Sequence, residues 1–286
     1  MEISSSQKYT IVETSEKGQF ASATNDILPG ELVVFEAEPV LYLDIDFLLS
    51  FNGSPELEAG IWKQFNAVVP VDEKEKYLAL FGPTTGASAE RFRNNALQMR
   101  TNDDTDLDCC MNDEEIENLV KVMQVMKFNA FTLEDLSRAI YTELTRFSHS
   151  CAPNCSFYIS EKAAHCCAKR HIQKGEELTI SYFATSDVDP THERRYQCLE
   201  MKEFTCHCPR CDAVGDDTRQ FDCFDPDCKG VMMVCQPINQ KKTTNSSLSY
   251  KGVEYVEPHL LPCTVCHRAA PADYHTKMFS IENNLL

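Results

Sequence analysis

Residues 148–155 read SHSCAPNC and place a histidine, two cysteines, a proline and an asparagine side by side, just after a predicted helix. Two later stretches also concentrate chemically active and turn-forming residues. Residues 175–182 read GEELTISY, and residues 204–211 read FTCHCPRC. Each stretch alone is compatible with several kinds of site, but their order and spacing together favour one interpretation.

The distribution of the 15 cysteines indicates the chemistry to expect of them. None precedes Cys109 in a chain of 286 residues, which is long enough for two modest domains or one domain with insertions. The first residues lack the basic start and apolar core of a signal peptide, and no apolar run is long enough to span a bilayer. We therefore expect a reducing setting, cytoplasmic or nuclear, in which clustered cysteines bind metal. Disulfides are the alternative, which the odd count disfavours.

The net charge of −17 restricts the class of partner. Proteins that bind nucleic acid through a general basic surface carry the opposite charge, so no direct nucleic-acid binding is expected. No membrane partner is expected either. An acidic surface attracts lysine-rich partners, although its simplest role is to keep a protein soluble.

The N-terminal part of the chain is predicted to form short strands joined by turns. Residues 9–13 are of β-forming types, Lys17-Gly18-Gln19 is a turn signal, and the chain returns at residues 20–23. A second turn at residues 28–31 precedes a short apolar strand at residues 32–35.

Residues 43–111 differ in kind, because no cysteine precedes Cys109 and the pattern predicts helices with polar joints. One helix is expected over residues 72–80, ended by Gly82-Pro83. The segment 100–108 is rich in aspartate, which predicts a solvated loop. We interpret the segment as a helical insertion between two halves of a β domain.

Residues 112–201 alternate between predicted helices and strands. Asn112 and Glu115 form a capping-box pattern ahead of an apolar stripe that is expected in the core, namely Ile116, Leu119, Met123 and Met126. The further predictions are a helix over 133–145, strands at 157–159, 164–168 and 178–183, and a helix from Asp189-Pro190 to about Met201. Residues 239–249 are predicted to be a flexible linker.

Three thiols lie close together in the pattern Cys206-x-Cys208-x2-Cys211. Structural zinc prefers four soft ligands in tetrahedral geometry, so this group is one ligand short. Cys151 is the expected fourth ligand. His207 is the competitor, although its place between two ligands directs it away from an ion that they share.

A second pattern of four cysteines flanks the polar linker and consists of Cys223, Cys228, Cys263 and Cys266. This spacing is typical of a zinc ribbon, with Cys235 and His267 as substitute ligands and scattered free thiols as the alternative. A bound zinc ion is worth on the order of 10 kcal/mol in small peptides, so it can hold a tail that has few apolar residues.

These motifs resemble those of SET-domain proteins, and in particular of the SET-and-MYND group and its arthropod members. That family carries Asn-His-Ser-Cys-x-Pro-Asn-Cys, then Gly-Glu-Glu-Leu-Thr-Ile-x-Tyr, then Cys-x-Cys-x2-Cys. Residues 148–155, 175–182 and 206–211 are similar to these motifs, in the same order. The likeness covers about residues 9–42 and 128–212.

The resemblance implies an α+β architecture, namely a β-rich SET fold with a helical insertion, a cysteine-rich zinc-binding post-SET segment and a zinc-ribbon-like C-terminal tail. The expected segments are residues 1–45 for the first SET segment, 46–127 for the insertion, 128–183 for the core SET segment, 184–215 for the post-SET zinc segment and 216–286 for the second cysteine-rich tail.

The resemblance also implies an enzyme that uses S-adenosylmethionine to methylate a lysine side chain of a protein, histone or non-histone. By position in the motifs, Tyr182 is the implied catalytic tyrosine, and Cys151 is implied to complete the zinc site. The implied cofactor-binding residues are Lys17, Gly18, Gln19, Asn129, Ser148, His149 and Phe204.

Three features depart from the family pattern. Ser148 stands where the family has asparagine, and a lost amide hydrogen bond costs about 1–3 kcal/mol if its buried partner is left unpaired. The MYND finger is missing, because no cysteine precedes Cys109, and the family's long C-terminal helical lobe is absent or truncated. The alternative hypothesis is therefore a catalytically weak or inactive SET-fold zinc protein that acts as an interaction scaffold.

Overall fold

The computed structural model describes residues 8–15, 18–51, 56–101, 111–183, 189–235, 249–250, 253–254 and 259–283. Two units follow from the distribution of contacts. The first comprises Met1–Ser148 and Asn154–Thr179, and the second comprises His149–Pro153 and Ile180–Leu286. Within the described part of the chain, no helix is both long enough and apolar enough to cross a membrane.

Short strands open the chain and recur after the helical insertion. Their bounds are β1 (Tyr9–Thr14), β2 (Gly18–Ala23), β3 (Leu32–Glu36), β4 (Leu41–Leu43), β5 (Phe131–Thr132), β6 (Arg138–Ile140), β7 (Ser148–His149), β8 (Cys155–Ser160), β9 (Ala163–Ala168) and β10 (Thr179–Ile180). The boundaries between the two units in the sequence fall within β7 and β10. The strands predicted near the N-terminus and at residues 157–168 are confirmed.

β9 is the central strand of an antiparallel sheet with the order β3–β9–β8. Every second residue of β9 is buried, as expected of a strand with one face on a core. His165 lies on the other face, with ring centroids 4.9 Å from Phe35 and 4.6 Å from Tyr158. In the first unit, β1 also pairs with β2, and β6 lies between β4 and β5.

The helical prediction for residues 43–111 is confirmed over its described part, and a longer helix follows. The bounds are α1 (Ile45–Ser50), α2 (Glu56–Val68), α3 (Val71–Leu78), α4 (Ala87–Thr101) and α5 (Asp113–Asn129). Asn112 Oδ1 accepts a bond from Glu115 N at 3.0 Å, and Glu115 Oε2 accepts one from Asn112 N at 2.8 Å. The predicted capping box is therefore present, and all four residues of the predicted stripe are buried.

One hydrophobic core joins the insertion to the strands of the first unit. Phe65, Tyr77 and Phe92 come from three of its helices, and they are almost completely buried together with Leu119 of α5. Leu41 of β4 belongs to the same core. The helices therefore supply most of this core, and the strands β4 and β6 add Leu41, Leu43 and Ile140 to it.

Glu36, at the end of β3, fixes the chain segment that leads into residues 148–155. Its carboxylate accepts bonds from Leu144 N at 2.9 Å, Glu143 N at 3.1 Å and Thr142 Oγ1 at 3.2 Å. These donors open the 3₁₀ turn Leu144–Arg146. Burial raises the pKa of Glu36, whereas the bonds from the two backbone N–H groups oppose that rise.

The helix predicted over residues 133–145 is wrong, because a hairpin replaces it. Leu136 has a left-handed backbone with φ of 67°, and its N–H donates to Leu133 O at 3.0 Å. Asp135 Oδ1 then accepts a bond from Ser137 N at 2.9 Å. This turn sends β6 back along β5 and β4, so a pairing distant in sequence overrides the local helical pattern.

Three predicted boundaries are also corrected. The strand expected over residues 178–183 is limited to β10. The helix expected to start with an Asp189 cap begins at Thr191, and Asp189 Oδ2 instead accepts a bond from Gln197 Nε2 at 2.8 Å. α4 extends through Thr101, so the expected loop over 100–108 begins later, and its remainder lies outside the described residues.

The second unit contains short helices and strands after residue 190. Their bounds are α6 (Thr191–Lys202), α7 (Pro209–Asp212), β11 (Gly215–Asp222), β12 (Val231–Cys235), β13 (Ser249–Tyr250), β14 (Val253–Glu254), β15 (His259–Leu260) and α8 (Ala272–Asn283). β12 pairs antiparallel with β11 on one side and β15 on the other. The predicted linker, residues 239–249, lies outside the described residues except at its last position.

Candidate active site and metal centres

Four buried thiols converge in the second unit, those of Cys151, Cys206, Cys208 and Cys211, and their sulfur atoms all lie within 4.8 Å of one another. We call this group the first cysteine cluster. Cys151 Sγ lies 3.9 Å from Cys206 Sγ and 3.6 Å from Cys211 Sγ. A tetrahedral zinc ion with Zn–S distances of about 2.3 Å separates its sulfur ligands by about 3.8 Å, whereas a disulfide requires about 2.05 Å. The sulfur spacing therefore fits a tetrahedral metal ion.

The local backbone explains how three of these thiols meet. Glu203 caps the C-terminus of α6, and its left-handed backbone (φ of 60°) turns the chain toward Cys206. Cys208 is the N-cap of α7, and Pro209 follows at the first helical position, where its missing N–H is not needed. The predicted competitor His207 is not in the cluster, since its exposed ring places Nδ1 3.2 Å from Asp212 Oδ1.

A buried carboxylate and two buried guanidinium groups lie beside this cluster. Arg194 Nη1 donates to Asp216 Oδ2 at 3.1 Å, and Arg210 Nε donates to Asp216 Oδ1 at 3.1 Å. Burial alone would raise the pKa of Asp216, but the bonds from Arg210 and Thr218 hold it below its usual range. Arg194 also contacts Cys211 Sγ and Arg210 contacts Cys151 O, so both guanidinium groups place positive charge beside the cluster, where it would stabilise a negatively charged metal–thiolate centre.

Sequence analysis missed these charged residues, because no motif marks them. The available signal was the pair Arg194-Arg195 on a helix next to a cysteine pattern. Arg195 holds the turn directly, since its Nη2 donates to Cys211 O at 3.0 Å and its Nε donates to Cys206 O at 3.3 Å. Helix α6 therefore supports the cluster with two successive side chains.

A second group of four thiols converges further along the chain, those of Cys223, Cys228, Cys263 and Cys266. We call it the second cysteine cluster. Cys223 Sγ lies 3.7 Å from Cys266 Sγ, and Cys228 Sγ lies 3.6 Å from Cys263 Sγ. These distances again match the edge of a tetrahedral zinc–thiolate site. Neither Cys235 nor His267, the predicted substitutes, belongs to the group.

Backbone N–H groups donate to the sulfur atoms of the second cluster, as expected where thiolates carry negative charge. Asp225 N lies 3.5 Å from Cys223 Sγ, and Val265 N lies 3.4 Å from Cys263 Sγ. Gly230 is required by the packing, because a Cβ there would lie 2.4 Å from Cys263 Sγ. The hydrophobic residues Met232, Val234 and Leu260 of the three-stranded sheet are buried beside the cluster.

The implied catalytic tyrosine, Tyr182, is held by His149 in the second unit. Tyr182 N donates to His149 Nδ1 at 3.1 Å, and His149 Nε2 lies 3.2 Å from Cys151 Sγ. Burial lowers the pKa of His149 to about 4. The ring is therefore neutral, in agreement with Nδ1 acting as an acceptor.

Aromatic rings surround His149 on several sides. Its ring centroid lies 5.2 Å from that of Tyr182, 5.5 Å from Phe183 and 6.0 Å from Phe204. Lys202 Nζ lies 5.6 Å from the centroid of the Tyr182 ring. The face of Tyr182 therefore accepts a cation, which is the property needed beside a sulfonium or an ammonium group.

A fifth thiol lies against the first cysteine cluster. Cys198, in α6, is fully buried, and its sulfur lies within 4.8 Å of both Cys206 Sγ and a ring nitrogen of His149. Sequence analysis did not single out Cys198, because it stands outside the Cys-x-Cys-x2-Cys spacing. Its burial places it in the packing around the cluster.

Two other predicted cofactor-binding residues open a strand of the first unit. Gly18 and Gln19 begin β2, and Gln19 Oε1 accepts a bond from Arg146 Nη1 at 3.2 Å. Gly18 has φ of 71°, which favours glycine. Lys17 lies outside the described residues.

The remaining predicted cofactor-binding residues of the first unit are Asn129 and Ser148. Asn129 ends α5, and its Nδ2 donates to Phe81 O at 2.6 Å and to Val125 O at 2.9 Å. Ser148 is half-buried in β7. The role of both residues in binding a cofactor stays a prediction.

The comparison with protein families decides the assignment. The model of the SET domain matches residues 18–183, which is more than half of the chain. This chain belongs to the SET-domain family. The matched segment contains Ser148, His149, Cys151 and Tyr182, whereas the other cysteines of both clusters follow it.

Relatives of this SET-domain chain are SET-and-MYND proteins, as the motifs predicted. "SET domain and MYND-type zinc finger protein 6" of Schizosaccharomyces pombe is 34% identical over 91 residues, which are 32% of this chain and 18% of that protein. The human "Histone-lysine N-methyltransferase SMYD3" is 33% identical over 94 residues, covering 31% and 22%. The human "N-lysine methyltransferase SMYD2" is 30% identical over 106 residues, covering 35% and 24%. The chain therefore spans less than a quarter of the length of each relative.

Proposed function

We propose that this chain is a zinc-containing methyltransferase that uses S-adenosylmethionine to methylate a lysine side chain of a protein. Membership of the SET-domain family and the names of the SMYD2 and SMYD3 relatives support this proposal. The observation that carries it is the environment of Tyr182. Its backbone N–H donates to His149, and its ring face lies against the ammonium of Lys202.

The residues proposed to bind the cofactor come from the family motifs and are Lys17, Gly18, Gln19, Asn129, Ser148, His149 and Phe204. When bound, S-adenosylmethionine supplies an electrophilic methyl group on a sulfonium. The half-buried rings of Phe204 and Tyr182 suit such a cation, because aromatic faces attract positive charge.

Both cysteine clusters are proposed to bind zinc, with four ligands each. Four protein ligands leave no open position for substrate, so the ions are structural and not catalytic. In the first cluster, zinc would fix Cys151, two residues from His149, and would thereby support the segment that contacts Tyr182. In the second cluster, zinc would hold the loops beside the sheet of β11, β12 and β15.

The chemical task of the site is to present a neutral lysine amine in line with the methyl group. With an ordinary pKa near 10.4, deprotonating lysine at pH 7 costs about 4–5 kcal/mol. Burial beside a positive charge lowers that cost, because both effects disfavour the ammonium form. The Tyr182 hydroxyl can orient the amine through a hydrogen bond without adding charge, and positioning supplies most of the remaining acceleration.

The proposed partner is a protein substrate with an accessible lysine, histone or non-histone, in the cytoplasm, the nucleus or both. A net charge of −17 favours the approach of lysine-rich segments and opposes direct contact with nucleic acid. No membrane partner is proposed.

The test combines cofactor binding with methyl transfer. We expect the zinc-loaded protein to bind S-adenosylmethionine at one site in calorimetric titration and to methylate a lysine-rich protein substrate. Tyr182→Phe should strongly reduce transfer while leaving the fold intact. Tyr158→Phe is the matched control, because Tyr158 is 57% exposed on the sheet of the first unit, and it should retain full activity. Unchanged transfer by Tyr182→Phe contradicts the assigned role.

Substitution of Ser148 distinguishes the proposed enzyme from the alternative of an inactive scaffold. If the shorter side chain has weakened cofactor binding, Ser148→Asn should raise the affinity for S-adenosylmethionine by about tenfold or more, the equivalent of one recovered hydrogen bond of about 1–3 kcal/mol. A folded protein that binds no cofactor in either form favours the scaffold.

A further inference from the structure

We infer that His149 is a positioning residue that links the first cysteine cluster to the backbone of Tyr182. The inference rests on the proposed function for its consequence in catalysis, but its geometry is independent of any substrate. The imidazole contacts the sulfur of Cys151 on one side and the backbone of Tyr182 on the other, in addition to the cofactor contact implied by the family motif.

The hydrogen-bond pattern fixes the tautomer of His149. A backbone N–H is always a donor, so His149 Nδ1, at 3.1 Å from Tyr182 N, must be the acceptor. The proton of the neutral ring is therefore on Nε2, which lies 3.2 Å from Cys151 Sγ. The only arrangement that satisfies both contacts has Nε2–H donating to the sulfur.

This donor is suited to a metal-bound thiolate. A thiolate accepts a stronger hydrogen bond than a neutral thiol, because the acceptor carries negative charge. Contacts of this kind, made by groups around a metal's direct ligands, orient those ligands and tune the metal. Zinc bound at the first cluster would therefore keep Cys151 as the thiolate that accepts from His149 Nε2, while His149 Nδ1 accepts from the backbone N–H of Tyr182.

A second backbone contact keeps the two segments together. Ser150 N donates to Ile180 O at 3.0 Å, on the segment that leads into Tyr182. His149 and Ser150 thus contact the 180–182 segment at successive positions, one by a side chain and one by the backbone. Substitution of His149 changes only the side-chain contact and leaves the backbone bond between Ser150 and Ile180 in place. The effect of the imidazole can therefore be measured separately from that of the backbone.

Two substitutions each preserve one of the two contacts. The amide oxygen of asparagine reaches the place of Nδ1, so His149→Asn keeps the acceptor for Tyr182 N and loses the donor to Cys151. The amide nitrogen of glutamine reaches the place of Nε2, so His149→Gln keeps the donor to Cys151 and loses the acceptor. His149→Phe keeps a ring and removes both contacts.

The readouts do not depend on methyl transfer. Selective ¹⁵N-tyrosine labelling reports hydrogen exchange at the Tyr182 amide, assigned by comparison with Tyr182→Phe. We expect exchange to become about fivefold faster in His149→Gln and to stay unchanged in His149→Asn. Cobalt substituted for zinc reports on the thiolates, and its sulfur-to-metal absorption bands should shift in His149→Asn and stay unchanged in His149→Gln.

The wild-type protein provides a test that needs no variant. In its zinc-loaded form, ¹⁵N-histidine spectra should show the His149 proton on Nε2. A proton on Nδ1, or equal effects of the Asn and Gln variants on both readouts, overturns the inference. Because neither measurement uses cofactor or substrate, a protein that shows the linkage but transfers no methyl group contradicts only the proposed function.

Discussion

Arg194 Nη2 donates to Cys211 Sγ across 3.7 Å, and both side chains are almost completely inaccessible to solvent. A buried guanidinium is costly unless it is paired, and Asp216 accepts bonds from both Arg194 and Arg210. Four thiolates around a divalent zinc ion carry two net negative charges. A metal-bound, anionic first cysteine cluster would therefore place negative charge directly against the guanidinium of Arg194.

Arg194→Met is expected to weaken zinc binding at the first cluster by about 10–100-fold, the usual effect of removing a group that supports a metal ligand. Methionine keeps most of the volume of the side chain and removes its charge. Competition with a chromophoric chelator measures the change. Arg170→Met is the matched control, because Arg170 is a half-exposed partner of Glu176 in the first unit. Equal zinc affinities in the two variants would show that the charge of Arg194 has no part in the cluster.

The burial of Glu36 should make its contribution to the unfolding free energy of the first unit depend on pH. Its folded pKa is raised by burial, so the folded state holds the proton more tightly than the unfolded state. The contribution of this group is fully present below its unfolded pKa, about 4.3, and is lost as pH rises through the folded pKa. The difference in unfolding free energy between wild type and Glu36→Gln should therefore fall as pH rises above about 4.3, which denaturant titrations at several pH values measure.

Glu31→Gln is the control for this pH dependence, because the pKa of Glu31 is lowered by the bond from Leu28 N. A lowered folded pKa gives the opposite slope, with stability gained as pH rises through the unfolded pKa. The same sign of slope for both carboxylates would contradict the role assigned to the burial of Glu36.

The features that could be located from the sequence are those fixed by a residue spacing or by the number of ligands that a metal needs. The capping box of Asn112 and Glu115 depends on a three-residue spacing alone. Cys151 was expected as the fourth thiol because zinc needs four ligands and Cys206-x-Cys208-x2-Cys211 supplies three, and the structure brings these four sulfur atoms together. In both cases a simple rule, on residue spacing or on the number of metal ligands, restricts the answer to one or two residues.

The features that sequence analysis missed depend on partners distant in the chain. Residues 133–145 have a helical pattern, but pairing of β6 with β4 requires a strand, and the left-handed Leu136 ends any helix there. Arg194 is charged and lies on a helix, which normally indicates a solvated face. Only the folded arrangement shows that Asp216, 22 residues later, is buried against it.

Metal content should distinguish the two cysteine clusters. We expect two zinc ions per chain by elemental analysis of the purified protein, and one in Cys263→Ser. Cys235→Ser is the control, because Cys235 is outside the second cluster, and it should retain both ions. Gly230→Ala should also lower zinc binding at the second cluster, because its Cβ would lie 2.4 Å from Cys263 Sγ. Two tightly bound ions in Cys263→Ser would contradict the assignment.

Lys202 is expected to compete with bound cations for the face of Tyr182. Its ammonium lies 5.6 Å from the ring centroid, and such a contact is worth about 0.5–1 kcal/mol at an accessible site. Lys202→Met should therefore strengthen the binding of S-adenosylmethionine, or lower the KM for a lysine substrate, by about two- to fivefold. Lys74→Met is the matched control, because Lys74 Nζ lies 5.4 Å from the centroid of Phe65, outside the predicted site. Weaker binding in Lys202→Met would instead mean that this ammonium supports the arrangement of Tyr182.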